Sequence, residues 1–363
     1  MEQIPRYLSC SKIWSSVLSI SLFALSISFF AASEPAQVAS FAFPGNKPAN
    51  IPRAWKPLIG EYGPEQASFL VLEKSGRLVL RENDGTEINL QQAASGTFTL
   101  RKPRGAPLPV YFGGELKGHA TSISLGDLTF PRRTLGPEEG QFFSIQPSRS
   151  IEDLREEALA ASPPHEEGQF REPDLIDLAS LDSNIHLDIR YATANDFLGT
   201  PVYTQARAFL QRPAADALLR ALLRLKPLGY ALLIHDAYRP WYVTKIFWDA
   251  TPAEGKIFVA DPAQGSRHNR GCAVDLTLYE LKTGRPVEMP GTYDEMSPRS
   301  FPDYPGGTSL QRWHRDLLRW AMESEGFTVY EHEWWHFDFK DWHEYAILNV
   351  PFEKLQFREK QVR

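Results

Sequence analysis

The sequence predicts an α+β protein, in which a small all-β domain precedes a domain of helices flanking a mostly antiparallel sheet. Three observations carry this prediction. The chain has 363 residues, 42% of them hydrophobic, which is enough for two medium-sized domains. Alternating apolar runs separated by glycine-containing turns fill residues 51–147. Helical and strand patterns then mix from residue 174 onward, which is typical of the α+β class.

Residues 1–33 have the organisation of a secretory signal. Basic residues precede a long apolar run, and small residues follow it up to Ser33. We therefore expect cleavage after Ser33 and export to the periplasm, with residues 34–50 as a leader rich in proline, alanine and serine. The apolar run is long enough for an alternative in which residues 13–32 remain as a membrane anchor.

The charge balance argues against a nucleic-acid-binding protein, and the cysteine content argues against a disulfide-stabilised one. The formal net charge is −6 and no run of lysine or arginine stands out, so no nucleic-acid partner is expected. Of the two cysteines, Cys10 belongs to the signal segment, and the mature chain keeps Cys272 alone. An intramolecular disulfide is therefore not expected, and Cys272 is interpreted as a small buried core residue.

The first folded domain is predicted over residues 51–147. Its apolar runs are broken at Ser75-Gly76 and Asp84-Gly85, which are turn signals of β-hairpins. Short strands at this spacing predict a small antiparallel sandwich or barrel, which we interpret as a stability or docking module. Residues 148–173 are charged and contain a Pro-Pro pair, so they are predicted to form a linker with one short helix.

The second domain is predicted over residues 174–363. A helix opens at Pro213 and is followed by Gly229, and a second helix begins with a capping box from Thr308 to Gln311. Core strands are predicted from the three apolar segments "YALLIHDAYRP", "CAVDLTLYEL" and "FTVYEHEWWHFDF", of which the last contains a break.

The strand that contains Asp275 raises the question of what its carboxylate pairs with. An unpaired buried charge is costly, so a carboxylate in an apolar strand needs a partner. That partner is an arginine, a water molecule, a hydrogen-bonded backbone group or a metal ion. His268, Asp275 and His336 together supply two imidazoles and one carboxylate. Catalytic zinc takes three such protein ligands and keeps one position for water, so we favour a metal site.

Two further residues complete a hydrolytic arrangement with this metal. Glu333 lies three residues before His336, and on an irregular strand end it can act as the base towards a zinc-bound water. Arg239 can hold the negative oxygen of a tetrahedral intermediate. Each residue also has a simpler interpretation, since Glu333 can be a surface ion-pair partner and Arg239 can cap a turn or pair with Asp236.

The segment from Asp174 to Trp342 resembles the VanX-type zinc D-Ala-D-Ala dipeptidases. The resemblance covers about half the chain and rests on five segments in this order: "DIRYATANDFLGTPVY", "DAYRP", "SRHNRGCAVDLTL", "GTYDEMS" and "EHEWWHFDF". It implies a domain with the Hedgehog/DD-peptidase-like fold and one zinc ion per chain. The implied reaction is hydrolysis of the dipeptide to D-alanine.

The resemblance also implies roles for individual residues. It matches His268, Asp275 and His336 to the zinc ligands, Glu333 to the catalytic base and Arg239 to the arginine that polarises the scissile carbonyl. It matches positions lining the small substrate pocket to three further residues, Asp294, Ser266 and Tyr191. The carboxylate of Asp294 is suited to the free ammonium group of a dipeptide, which a longer peptide replaces by an uncharged amide.

Two alternatives to a dipeptidase stay open at this point. A related zinc D,D- or L,D-carboxypeptidase or endopeptidase would act on longer peptidoglycan peptides, so that cell-wall fragments would be its partners. A non-catalytic wall-peptide binding protein would keep the fold without turnover, although a binder has no need of Glu333. A membrane partner is expected only if the leader stays uncleaved.

Overall fold

The computed structural model describes residues 41–94, 97–101, 105–137 and 143–355, which belong to one compact unit. The predicted signal segment, the alternative anchor and the start of the leader lie outside these residues. Within the described part of the chain, no helix is both long enough and apolar enough to cross a membrane.

The N-terminal domain is an eight-stranded antiparallel meander that closes into a barrel. Each strand pairs with the next one along the chain. The strands are β1 Gly60–Tyr62, β2 Phe69–Lys74, β3 Arg77–Arg81, β4 Glu87–Ala94, β5 Thr97–Leu100, β6 Leu108–Gly113, β7 Ser122–Leu125 and β8 Leu128–Pro131. The amide of Gly63 donates to the Pro131 carbonyl at 2.9 Å and that of Arg133 to Glu61 at 2.8 Å, which joins the first strand to the last. Of the two predicted forms, sandwich or barrel, the structure has the barrel.

The turn residues and the alternation of apolar side chains explain why this segment forms a barrel. Ser75 and Gly76 both have positive φ, 51° and 77°, as a two-residue hairpin turn between β2 and β3 requires. Alternate side chains of the strands point inward and form a core of their own, in which Val71, Leu78 and Ile123 are fully buried. This core is separate from that of the following domain.

The C-terminal domain mixes helices and strands, as expected from the sequence. Its helices are α1 Ile151–Ala160, α2 Arg212–Leu225, α3 Trp241–Ala250 and α4 Ser309–Glu323. Its strands are β9 Leu175–Asp177, β10 Ile185–Leu187, β11 Phe209–Gln211, β12 Tyr230–Asp236, β13 Ala273–Glu280, β14 Arg285–Pro286, β15 Phe327–Tyr330 and β16 Glu333–Phe339. The main sheet has the order β10-β12-β13-β16-β15, with β14 also on β13, and all its pairs are antiparallel except β10 with β12.

The predicted helices differ from the observed ones mainly at their ends. The capping box of α4 is formed, because Thr308 and Gln311 each bond the backbone of the other. The α-helical part of α2 ends at Leu225 and continues as a 3₁₀ turn over Lys226–Leu228. Pro227 explains this, because a proline lacks the N–H that continues an α-helix.

The segment 148–173, predicted as a linker, is packed against the C-terminal domain. Ile151, Leu154 and Ala158 of α1 are buried in the core of that domain. Further on, the carboxylate of Glu166 forms an ion pair with Arg270 at 2.5 Å. The segment is therefore part of the domain that holds the candidate site rather than a free connection.

A buried carboxylate joins the barrel to the other domain. Glu73 of β2 is 2% exposed, and its Oε2 accepts a hydrogen bond of 2.7 Å from the backbone N–H of Ser309, the first residue of α4. Its Oε1 accepts from Gly76 N at 2.6 Å, and Arg312 donates to its carbonyl oxygen at 2.6 Å. A carboxylate at a helix N-terminus satisfies free N–H groups and interacts favourably with the helix dipole.

We expect Glu73→Ala to lower the free energy of unfolding by about 1–3 kcal/mol, because it leaves buried donors at the start of α4 without an acceptor. Glu65→Ala is the matched control, since the Glu65 side chain is 79% exposed and its loss is expected to cost less than about 0.5 kcal/mol. Chemical denaturation of both variants measures the difference. Equal midpoints would contradict a role for Glu73 in docking the barrel.

Candidate metal centre and active-site cavity

Two neighbouring strands and the turn that precedes one of them bring His268, Asp275 and His336 together. Asp275 on β13 and His336 on β16 are direct cross-strand partners. His268 opens a short 3₁₀ turn that leads into β13, and Gly271 ends this turn with a positive φ of 67°. The exposed fractions of the three residues are 2%, 2% and 8%, so the cluster is shielded from solvent.

The three facing atoms have the spacing of metal ligands. His268 Nε2 lies 3.0 Å from His336 Nδ1 and 3.3 Å from Asp275 Oδ1, and His336 Nδ1 lies 3.0 Å from the same oxygen. Ligands at zinc-like bond lengths of about 2.0–2.1 Å in a tetrahedron are separated by about 3.3 Å. Among the described residues, these three form the group of histidine, cysteine and acidic side chains arranged to hold a metal ion.

The hydrogen bonds on the outer side of each imidazole show which nitrogen carries the proton. His268 Nδ1 donates to the carbonyl oxygen of Ala237 at 2.6 Å, and His336 Nε2 donates to Asp338 Oδ1 at 2.8 Å. The inner nitrogens therefore present lone pairs to one another and to Asp275 Oδ1, which has no hydrogen-bond donor. Three converging electron pairs repel one another unless a cation lies between them, so the donor set fits a divalent metal.

Protonation behaviour without a metal supports the same conclusion. Burial lowers the pKa of His336, but the neighbouring Asp338 and Asp275 outweigh burial and hold this pKa well above its usual value. Burial raises the pKa of Asp275, yet His268 and His336 hold it well below its usual value. A proton and a metal ion therefore compete for the same position between these side chains.

All eight predicted site residues line one cavity of about 360 Å³. They are Tyr191, Arg239, Ser266, His268, Asp275, Asp294, Glu333 and His336. Five carboxylates and three cationic side chains line the cavity: Asp261, Asp275, Asp294, Glu295 and Glu333, with Arg239, Lys256 and Arg267. The guanidinium of Arg239 already pairs with Asp236. The cavity is thus electrostatically suited to bind positive charge.

A bulge in β16 places Glu333 beside the metal ligands. Tyr330 pairs with Glu333 while the preceding Val329 pairs with Phe337, so β16 has three extra residues at this point. Glu333 Oε2 consequently lies 3.8 Å from His336 Nδ1. Burial raises the pKa of Glu333 to about 8, an effect that His336 opposes and Asp275 reinforces.

Arg239 lies directly after β12, where a buried carboxylate orients it. Its Nε and Nη2 atoms donate to Asp236 Oδ2 at 2.9 and 2.7 Å, and Nη2 lies 4.0 Å from Asp275 Oδ2. The two interpretations that the sequence left open, pairing with Asp236 and a place in the site, are therefore compatible. Tyr203 donates to the other oxygen of Asp236 at 2.6 Å and fixes that carboxylate in turn.

Two of the three predicted pocket residues, Asp294 and Tyr191, are in direct contact, and the third, Ser266, lies beside His268. Asp294 has a positive φ of 58°, and its Oδ1 accepts from the Tyr191 hydroxyl at 3.0 Å. Its Oδ2 is buried without a donor among the described residues. Burial, Asp275 and Glu333 together raise the pKa of Asp294 well above its usual value. Ser266 Oγ accepts from His268 N at 3.2 Å, so Ser266 stabilises the turn that carries a metal ligand.

Sequence reasoning missed two side chains that contact the ligands. Asp338 bonds His336, and it lies two residues further along the same strand, so strand periodicity could have identified it. The Tyr293 hydroxyl donates to Asp275 Oδ2 at 3.1 Å. Tyr293 belongs to the loop before α4, and no local pattern links this loop to β13.

The comparison with known families agrees with this geometry. Residues 171–356 match the Peptidase M15 family, described as D-Ala-D-Ala dipeptidase. The chain belongs to this family. The matched region begins after the barrel and α1, and contains every residue of the candidate site.

Proteins with similar sequences include D-alanyl-D-alanine dipeptidases from three organisms. The protein of Escherichia coli K12 is 34% identical over 179 residues, which are 49% of this chain and 91% of the relative. The protein of Enterococcus faecalis is 36% identical over 198 residues, with coverages of 49% and 94%. The protein of Synechocystis is 30% identical over 180 residues, with coverages of 39% and 71%.

We expect Asp338→Asn to weaken metal binding by about 10–100-fold, because the carboxylate fixes the orientation of His336 and raises its basicity. Competition for Zn²⁺ against a chromophoric chelator measures the affinity. Glu331→Gln is the matched control, because Glu331 is exposed two residues before Glu333. Unchanged affinity in Asp338→Asn would show that this carboxylate does not support the metal ligand.

Proposed function

We propose that this protein is a zinc dipeptidase that hydrolyses the dipeptide D-Ala-D-Ala to two molecules of D-alanine. The observation that carries the proposal is the buried His268, Asp275 and His336 cluster, whose three facing acceptors adjoin Glu333 in one cavity. The names of the similar dipeptidases supply the substrate class. The mixed sheet flanked by helices also supports assignment to the Hedgehog/DD-peptidase-like fold.

Zinc is the metal that we assign to this cluster, with one ion per chain. Two imidazole nitrogens and one carboxylate oxygen are a donor set that zinc accepts, and catalytic zinc sites use three protein ligands. When bound, the ion supplies a Lewis acid that polarises a carbonyl group and lowers the pKa of water to about 7.

Glu333 is assigned as the general base. It lies within reach of the cluster because of the bulge in β16, and its carboxylate must be ionised to accept a proton. Burial raises the pKa of Glu333 to about 8, and a dication bound at the cluster would lower it and favour the ionised form. Glu333 then takes a proton from the attacking water and donates one to the departing amine nitrogen.

Arg239 is assigned to the carbonyl oxygen of the scissile bond. Asp236 holds two nitrogens of its guanidinium, and Arg239 lines the cavity near Asp275. A guanidinium that is fixed before the reaction stabilises the negative charge that develops on this oxygen. Its pairing with a buried carboxylate therefore serves orientation rather than excluding it from the reaction.

Asp294 is assigned to the free ammonium group of the substrate. Its Oδ2 is buried without a donor, and an ammonium group supplies both a donor and a positive charge. The sign of the charge agrees with this assignment, because the carboxylates of Asp275, Asp294 and Glu333 attract both a zinc ion and an ammonium group. A longer peptide would place a neutral amide against Asp294 and leave its charge unbalanced.

We expect Glu333→Gln to lower kcat on D-Ala-D-Ala by about 10²–10⁴-fold, because it removes the general base and keeps the shape of the side chain. Zinc content should stay near one ion per chain, since Glu333 is not assigned as a ligand. Release of D-alanine and metal analysis are the measurements, with Glu331→Gln as the exposed control. A near-wild-type rate in Glu333→Gln would make the proposed mechanism wrong.

We expect N-acetyl-D-Ala-D-Ala to be cleaved at least about 100-fold less efficiently than D-Ala-D-Ala, because the acetyl group removes the charge that Asp294 pairs with. Asp294→Asn should reduce this preference by lowering kcat/KM for the free dipeptide. Equal rates on the two substrates would favour a carboxypeptidase or endopeptidase. Bound zinc without turnover of either substrate would favour a wall-peptide binding protein.

A further inference from the structure

A second cavity lies between the barrel and the C-terminal domain. It has a volume of about 350 Å³, which is in the range of small-ligand sites. One wall comes from the barrel domain and includes Lys56 and Arg132, while the other includes Thr277 of β13 and Trp334 of β16. We name it the interdomain cavity. None of the eight residues of the candidate active site lines it.

Three buried polar atoms of the lining residues have no hydrogen-bond partner among the described residues. They are Thr277 Oγ1, Trp334 Nε1 and Arg132 Nε. Thr277 is 4% exposed and Trp334 is 3% exposed, so neither side chain reaches bulk water. The indole and guanidinium atoms are donors only, and the hydroxyl can also donate. What the cavity lacks is therefore a hydrogen-bond acceptor.

The charges of the lining residues also favour an anionic ligand. Four cationic side chains and one carboxylate line the cavity: Lys56, Arg132, Arg190, Arg299 and Glu288. Lys56 pairs with Glu288 at 2.7 Å. Arg190 pairs with Asp188 at 2.7 Å, and Arg299 pairs with Glu295 at 2.6 Å.

Arg132 differs from these three cations in its partners. Its Nη1 donates to the carbonyl oxygen of Ile59 at 2.8 Å and lies 3.4 Å from the Tyr62 hydroxyl, and its Nη2 lies 3.3 Å from His119 Nδ1. These partners carry no negative charge when His119 is neutral, and the contacts described for this guanidinium include no carboxylate. The positive charge of Arg132 is therefore available to pair with an anion in the cavity.

One part of the cavity wall is apolar. It includes Ile59, Val287 and Met289, and the ring of Trp334 adds an aromatic surface. Inorganic anions gain nothing from such a surface, whereas an apolar group buried there gains from the hydrophobic effect. The complementary ligand has one anionic acceptor group and a compact apolar body.

We propose that the interdomain cavity binds a small organic monocarboxylate. The carboxylate accepts hydrogen bonds from Trp334 Nε1 and Thr277 Oγ1 and balances the charge of Arg132, and the apolar body packs against Ile59 and Met289. This site is distinct from the catalytic one. Tyr293 lies between the two sites, because it lines the interdomain cavity while its hydroxyl bonds Asp275.

Benzoate is a suitable probe, because it joins one carboxylate to one compact apolar ring, and benzylamine has the same ring with the opposite charge. We expect saturable 1:1 binding of benzoate to the full-length, zinc-loaded protein by isothermal titration calorimetry, and no displacement of bound benzoate by benzylamine, which can enter the catalytic cavity instead. Thr277→Val removes the hydroxyl and keeps the shape of the side chain. It should weaken benzoate binding by about tenfold or more, since one hydrogen bond to a charged acceptor is lost.

Thr328→Val is the matched control, because Thr328 is an exposed residue of β15, and its benzoate affinity should equal that of the wild type. Trp334→Phe removes the other donor and keeps most of the aromatic surface, so it tests the same site if Thr277→Val folds poorly. Three results would overturn the proposal: no saturable benzoate binding, displacement of benzoate by benzylamine, or equal affinity in the Thr277 and Thr328 variants.

Discussion

Three electron-pair donors that converge on one point are the constraint on which the C-terminal domain depends. The inner nitrogens of His268 and His336 and one oxygen of Asp275 lie 3.0–3.3 Å apart. Such an arrangement is unfavourable unless a cation compensates it. The hydrogen bonds to Ala237 and Asp338 keep the proton of each imidazole on its outer nitrogen. The inner nitrogens are therefore oriented for a metal ion before it binds.

The surrounding strands and buried carboxylates position the three ligands and the side chains next to them. The register of β13 and β16 sets two ligands opposite each other, and the bulge in β16 turns Glu333 to the same side. Buried carboxylates then orient the groups that the reaction needs, as Asp236 does for Arg239. The packed segment before the family-matched region adds support from outside, because Glu166 pairs with Arg270 two residues after His268.

The sequence could predict what depends on local pattern and on matched motifs. Apolar spacing identified β12, β13 and α4, and the capping box fixed the start of α4 at Thr308. The cluster of His268, Asp275 and His336 was predicted because a buried carboxylate needs a partner. Tyr293 and the buried role of Glu73 could not be predicted, because each depends on how separate elements dock. The interdomain cavity could not be predicted for the same reason, since its walls come from two domains.

The closure of the barrel limits how this domain can take part in recognition. Gly63 and Arg133 bond across the junction of β1 and β8, so the backbone donors and acceptors along that junction are occupied. An extended peptide that adds itself to a sheet needs an unpaired edge strand, and a closed meander offers none at this seam. An extended peptide that contacts this junction is therefore bound through side chains and loops rather than through backbone hydrogen bonds.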